Sequence, residues 1–287
     1  MKHLKAVTVL VFTITALASW AAISGIVSDQ GPGPFQHESV RGKTVTICGR
    51  GIYRHMSQEV AIQGVAQDYV TVFIALPLLL ISLLLTAKGS LKARYAFAGT
   101  LGYILVTYLF YLTMGMYNPF FLAYAALLGS SFFAFSLTLI SFNVRTLPAV
   151  FSEKTPTRLT GGFLIFNAVC IGFLWLSVVV PPLLEGTIYP VQLEHYTTLI
   201  VQGLDLGLLL PLAAVSGLLM MARKPFGYLL GPVYLIFLSF LMIALTAKIV
   251  AMGMRGYPII PVIFIMPTFA LIAIACSVAL IRSIKVQ

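Results

Sequence analysis

Two acids, Asp68 and Asp205, stand inside otherwise apolar stretches of this chain. A carboxylate held in hydrocarbon costs about 2.5–3.5 kcal/mol on insertion scales, so it persists where it faces a partner, a cavity or a substrate path. A group that can change between charged and neutral forms in such a place suits proton coupling. Lys248 and Arg255 fall toward the same end of the predicted bundle and could pair with Asp205 or meet an anionic group. Asp205 is therefore read as a coupling or substrate-binding group, with Asp68, Lys248 and Arg255 around the entrance. Each residue also has a plainer reading. Asp68 would sit in the first turn of its helix, where the dipole favours an acid, and Lys248 would extend its ammonium to the interface.

Histidines offer a second chemistry. His55 and Glu59 are spaced i, i+4 on a predicted helix, and Glu194 and His195 lie on another loop, so His55, Glu59 and His195 could share a metal. A lone H-x-x-x-E pair arises easily by accident, and the expectation is no metal. None of the four histidines falls at membrane depth, which argues against a bis-histidine haem. No glycine loop followed by Lys-Ser or Lys-Thr is present, which argues against nucleotide-driven pumping by this chain alone. No cofactor is expected. Cys48, Cys170 and Cys276 form neither a disulfide framework nor a metal spacing.

The elements that must position these groups are membrane helices. Hydrophobic residues make up 60% of the chain and charged residues 9%, whereas a soluble domain is about 25% charged. Apolar runs long enough to cross a hydrocarbon core of about 30 Å recur at 6–27, 67–87, 95–116, 119–142, 161–183, 198–221, 226–252 and 258–281. Twelve basic residues and one acid, Glu153, fall at the amino end and in the even-numbered loops; six basic residues and seven acids fall on the other side. By the positive-inside rule both termini are cytoplasmic, in a multi-pass protein of the plasma membrane. The net charge of +10 is a topology signal and a basic face for lipid headgroups, not a nucleic-acid patch. Residues 1–25 also resemble a signal peptide, with a charged start and small residues near Ala18–Ala22. Their apolar stretch is longer than a signal core of about 7–15 residues, so retention as the first helix is expected.

A repeat organises the helices. Leu76–Leu85 (LPLLLISLLL) and Leu210–Leu219 (LPLAAVSGLL) align, pairing Pro77 with Pro211 and Ser82 with Ser216. Each runs into a short basic turn and then a helix with glycine and tyrosine near its start, Gly99, Gly102 and Tyr103 in one, Gly231 and Tyr234 in the other. The implied units are 1–150, containing an external loop at 28–66, and 151–287. Four helices per unit is an even number, so both copies share one orientation. Gly99, Gly129, Gly161, Gly162 and Gly227 read as close-packing positions, and Tyr117, Tyr189 and Tyr257 as interfacial anchors. Tyr103, Thr107 and Tyr108 lie deeper, where packing or a cavity would hold them. In the loop, GPGPFQ is extended or turned, Lys43–Cys48 is strand-like, and 52–66 forms an amphipathic helix leading into the second span.

The fold expected is all-α, with eight transmembrane helices in two similarly oriented four-helix repeats. The function expected is a small-molecule secondary transporter or permease component rather than an enzyme. Its partners are the lipid bilayer, a small-molecule ligand, and a partner subunit or a second copy. Two alternatives stay open: a membrane-anchor or quinone-binding subunit of a larger complex, and an outer-leaflet enzyme using His55, Glu59, Glu194 and His195.

Overall fold

The computed structural model describes residues 3–187 and 189–285; Lys2 of the topology argument lies outside them. Among the described residues eight helices are long and apolar enough to cross a membrane: α1 (Leu4–Val27), α2 (Gln58–Ala87), α3 (Leu91–Thr113), α4 (Phe121–Ile140), α5 (Thr157–Leu184), α6 (Ile200–Met221), α7 (Pro225–Met254) and α8 (Val262–Arg282). The protein is an all-α polytopic membrane protein.

One boundary differs from expectation in a way that moves a functional residue. The amphipathic segment before residue 67 and the second span form a single helix of 30 residues, about 45 Å long at 1.5 Å per residue. Asp68 thus lies three turns into α2, not in its first turn, and the helix-dipole reading does not apply. The helix survives Pro77 because the turn before it is widened. Thr71–Ala75 is π-helical, with Leu76 N–H donating to the Thr71 carbonyl, and the extra residue relieves the clash that a proline ring makes with the carbonyl four residues back.

α6 solves the same problem identically. Asp205–Leu209 is π-helical before Pro211, with Leu210 N–H donating to the Asp205 carbonyl. The alignment that pairs the two prolines places these two wide turns opposite one another. It also matches the helix ends: Ser90 N–H donates to the Leu85 carbonyl at 3.1 Å and Lys224 N–H to the Leu219 carbonyl at 2.9 Å, across left-handed residues Gly89 and Arg223. Such a closure satisfies carbonyls that a helix end leaves without partners. Ser82 and Ser216 are both buried.

Helices α1 to α4 pack as a ring, α1 against α2 and α4, α3 against α2 and α4. In the second half α6 packs between α5 and α7, and α8 lies along α7. The halves meet through α7, which packs on both α2 and α3 and is buried along most of Gly227–Met242. On one face the 141–156 connection is pinned to the end of α8 by Ser152 N–H to the Ser283 carbonyl at 2.9 Å and Lys285 N–H to the Val150 carbonyl at 3.0 Å.

The other face carries a cap formed by the 28–57 segment. Its hairpin pairs β1 (Phe35–Glu38) with β2 (Thr44–Ile47); the second strand was legible, the first was read only as extended or turned. The cap reaches across to the 185–199 loop of the second half. Arg41 donates to the Glu194 carbonyl at 3.3 Å and to the Tyr196 carbonyl, and Lys43 donates to the Val191 carbonyl. Ser57 N–H donates to the Tyr196 hydroxyl at 3.2 Å. Burial pushes the Tyr196 phenol above its ordinary value, so it stays protonated beside Ser57.

Glycines at helix crossings behave as the sequence suggests only where a neighbour is close. A Cβ on Gly161 would come 2.6 Å from the Gly217 carbonyl oxygen, whereas one on Gly162 meets nothing within 4 Å. Gly161→Ala should therefore force α5 and α6 apart and cost about 1–3 kcal/mol, while Gly162→Ala should leave thermal unfolding of the purified protein unchanged. Equal midpoints for the two variants would show that the α5–α6 crossing is not glycine-limited.

Candidate functional site

A cavity of about 260 Å³ lies among α2, α3, α5, α6 and α7, with the cap residues Tyr53 and Met56 over one end. Most of its wall is apolar, including Val106, Phe110, Ile171, Leu241 and Met266. A few polar groups converge on it, the arrangement typical of a small-molecule site.

Asp205 opens the wide turn of α6 and lines the cavity. The Trp175 indole of α5 donates to its Oδ2 at 2.7 Å. Lys248, six residues before the end of α7, lines the same cavity. Neither acid lies within ion-pair distance of it; among the described residues the one such pair is Arg50 with Asp29 at 3.4 Å. Lys248 is half-buried and borders the cavity that Asp205 also lines, rather than standing only at the interface.

Asp68 sits behind the cavity wall, 1% exposed. The Tyr53 hydroxyl donates to its Oδ2 at 2.5 Å and the Tyr111 hydroxyl to its Oδ1 at 3.0 Å. Tyr53 reaches it because two glycines clear the way. A Cβ on Gly25 of α1 would lie 1.9 Å from Asp68 Oδ2, and one on Gly64 of α2 would lie 3.1 Å from the Tyr53 ring. Burial, followed by the charge of Asp68, holds the Tyr53 phenol well above its ordinary value, so it remains a donor at any ordinary pH.

Beside Asp68, Gln67 donates to the Tyr103 hydroxyl at 2.6 Å and to Thr107 Oγ1 at 3.1 Å. Its Oε1, the Oδ1 of Asn167 and the hydroxyl of Tyr124 are buried without a hydrogen-bond partner in the protein, and all three residues line the cavity. Unpaired buried polar atoms of this kind cost about 1–3 kcal/mol each, and a polar ligand or water in the cavity would satisfy them.

Of the four residues singled out from sequence, three come together. Arg255 does not: it is exposed and borders a separate groove on the cap face. Tyr103 and Thr107 do line the cavity, while Tyr108 is packed in the core. Tyr53, Tyr111, Trp175, Gln67 and Asn167 carried no sequence signal of their own. The residues of the metal alternative are not gathered: among the described residues no three His, Cys, Asp or Glu side chains converge on one point. His195 Nε2 instead meets the His55 carbonyl oxygen at 3.1 Å, and Glu59 is exposed. In comparisons with known proteins, no family model, no curated protein and no solved structure matches the chain.

Tyr53→Phe should lower stability by about 1–3 kcal/mol, the cost of leaving a buried acceptor unsatisfied. The same substitution in an Asp68→Asn background should cost less, because the neutral amide holds a weaker bond. Thermal unfolding of the four proteins measures the coupling, and equal losses in both backgrounds would show that the phenol does not act on the carboxyl group.

Proposed function

We propose that this protein is a small-molecule secondary transporter or permease component, and that the cavity between its two four-helix halves is the binding chamber. The observation that carries the reading is the set of ionisable groups at its wall, Asp205 and Lys248 half-buried on it and Asp68 buried behind it. Asp68, Asp205 and Lys248, all ionised, sum to one negative charge in an apolar bundle, where an uncompensated charge is costly. One further positive charge completes the set: a proton on either carboxyl group, or a cationic group on the ligand. Asp205, open to the cavity, is the coupling or substrate-binding group. Asp68, sealed by two phenols, and Lys248 between them tune its charge.

The helix breaks support the same reading. Carriers built from repeats place their sites at discontinuous helices where two units meet, and π turns concentrate at functional positions. Here the matched wide turns, prolines and helix ends of α2 and α6 favour a duplication of 1–150 in 151–287, with one acid beside each wide turn. The basic-residue bias orients the cap outward and both termini toward the cytoplasm.

A second reading keeps the cavity and changes its occupant. The apolar wall with a tryptophan and a lysine would also suit a quinone in a subunit of a larger complex. The test is a thermal-shift panel of small amines, amino acids, organic acids and a short-chain quinone on the purified protein. Any stabilising compound is then followed into proteoliposomes under an imposed pH gradient. Transport predicts a compound that stabilises wild type but not Asp205→Asn, and whose uptake falls at least tenfold in that variant. Binding without uptake above protein-free liposomes would reject the carrier reading, and stabilisation by the quinone alone would favour the subunit.

A further inference from the structure

A second, larger concavity lies outside the cavity just described. It is a groove of about 890 Å³ walled by the last turn of α1, the start of α2, the end of α7 and the cap. Its floor is apolar, with Val65 and Tyr69 on one side and Val250 and Met254 on the other. Tyr69, Val250 and Met254 are 48%, 43% and 82% exposed, so the groove opens sideways to where hydrocarbon surrounds the bundle. Its rim is different in kind. Arg50 and Arg255 both border it at the level of the cap. Arg50 is shared with Asp29 at 3.4 Å, and Arg255 has no carboxylate partner among the described residues.

We infer that this groove is a binding site for an anionic phospholipid, with the phosphate between Arg50 and Arg255 and one acyl chain along Val65, Tyr69, Val250 and Met254. Charge and depth select the occupant together. A guanidinium presents a fork of donors that matches a phosphate, and basic pockets between membrane helices hold anionic headgroups. A free anion would use the rim and leave the exposed apolar floor uncovered, whereas a phospholipid covers both with one molecule. Tyr53 borders the groove as well as the cavity, so the bound chain would lie against the side chain that holds Asp68. The site does not depend on the transport reading.

Native mass spectrometry of the whole protein, exchanged into micelles containing dioleoyl phosphatidylglycerol or dioleoyl phosphatidylcholine, tests it. Wild type should retain one equivalent of phosphatidylglycerol at energies that strip phosphatidylcholine. Arg255→Gln should lower that occupancy several-fold, and the Arg50→Gln, Arg255→Gln double variant at least tenfold. Ala251→Trp, which fills the groove and keeps both arginines, should lower it as much. Equal retention in all four proteins would overturn the site. Loss with the arginine variants but not with Ala251→Trp would also overturn it, since the headgroup would then bind without a chain in the groove. Arg255 is exposed and makes no hydrogen bond that would fail, so its variant reads binding rather than folding.

Discussion

Everything at the centre of this protein follows from keeping two carboxyl groups and one amine inside an apolar bundle. Hydrocarbon offers them nothing, so each must be met by the protein or by a ligand. Asp68 is met completely, by two phenols that lie against its opposite oxygens. Those phenols in turn fix two larger features. Tyr53 belongs to the cap, so the cap cannot leave without exposing a buried acid, and Tyr111 ties α3 to α2. The glycine on α1 and the glycine on α2 that admit Tyr53 are consequences of the same requirement. Asp205 is met only in part, by one indole, and the remaining side of its carboxyl group faces the cavity.

That difference between the acids arises from how equivalent helices are placed. α2 packs on α7 through Gln58–Val70, the part that carries Asp68, while α6 meets α3 only near its own start. The first contact seals Asp68, and the second leaves a space bounded by α2, α3, α5, α6 and α7. Two helices with the same wide turn, the same proline and the same end therefore hold their acids in opposite conditions, one sealed and one available. Lys248 sits on α7, the helix that touches both halves, and borders the cavity together with Asp205.

The architecture was legible because membrane helices announce themselves by length and composition alone, and the pairing of Pro77 with Pro211 fell on two helices that carry the same wide turn. The acids stood out because charge in an apolar run is costly. What could not be read was which residues meet them. Tyr53, 15 residues before Asp68 in sequence, and Trp175, 30 before Asp205, become neighbours only when a loop folds back or two helices cross, and tyrosine and tryptophan in such a chain otherwise read as interface anchors. Arg255 was misplaced for the complementary reason. Seven residues apart, Lys248 and Arg255 would share one helix face, but α7 ends at Met254 and Arg255 is its C-cap, so it lies beyond the packed part of the bundle and at the surface.

The cap is where this constraint reaches the second half of the chain. It closes one end of the cavity with Tyr53 and Met56, and it holds the 185–199 loop through Arg41, Lys43, Ser57 and the His55 carbonyl oxygen. The bonds differ in depth: Lys43 to the loop is exposed and those of Arg41 are half-buried, while Ser57 to Tyr196 and Tyr53 to Asp68 are both buried. The cap is therefore fastened to both halves by one buried bond each, and lifting it from either would leave a buried polar group without its partner. Of the two, the bond to Asp68 is the one that meets a carboxyl group, so the cap's hold on the first half is also what keeps that acid satisfied.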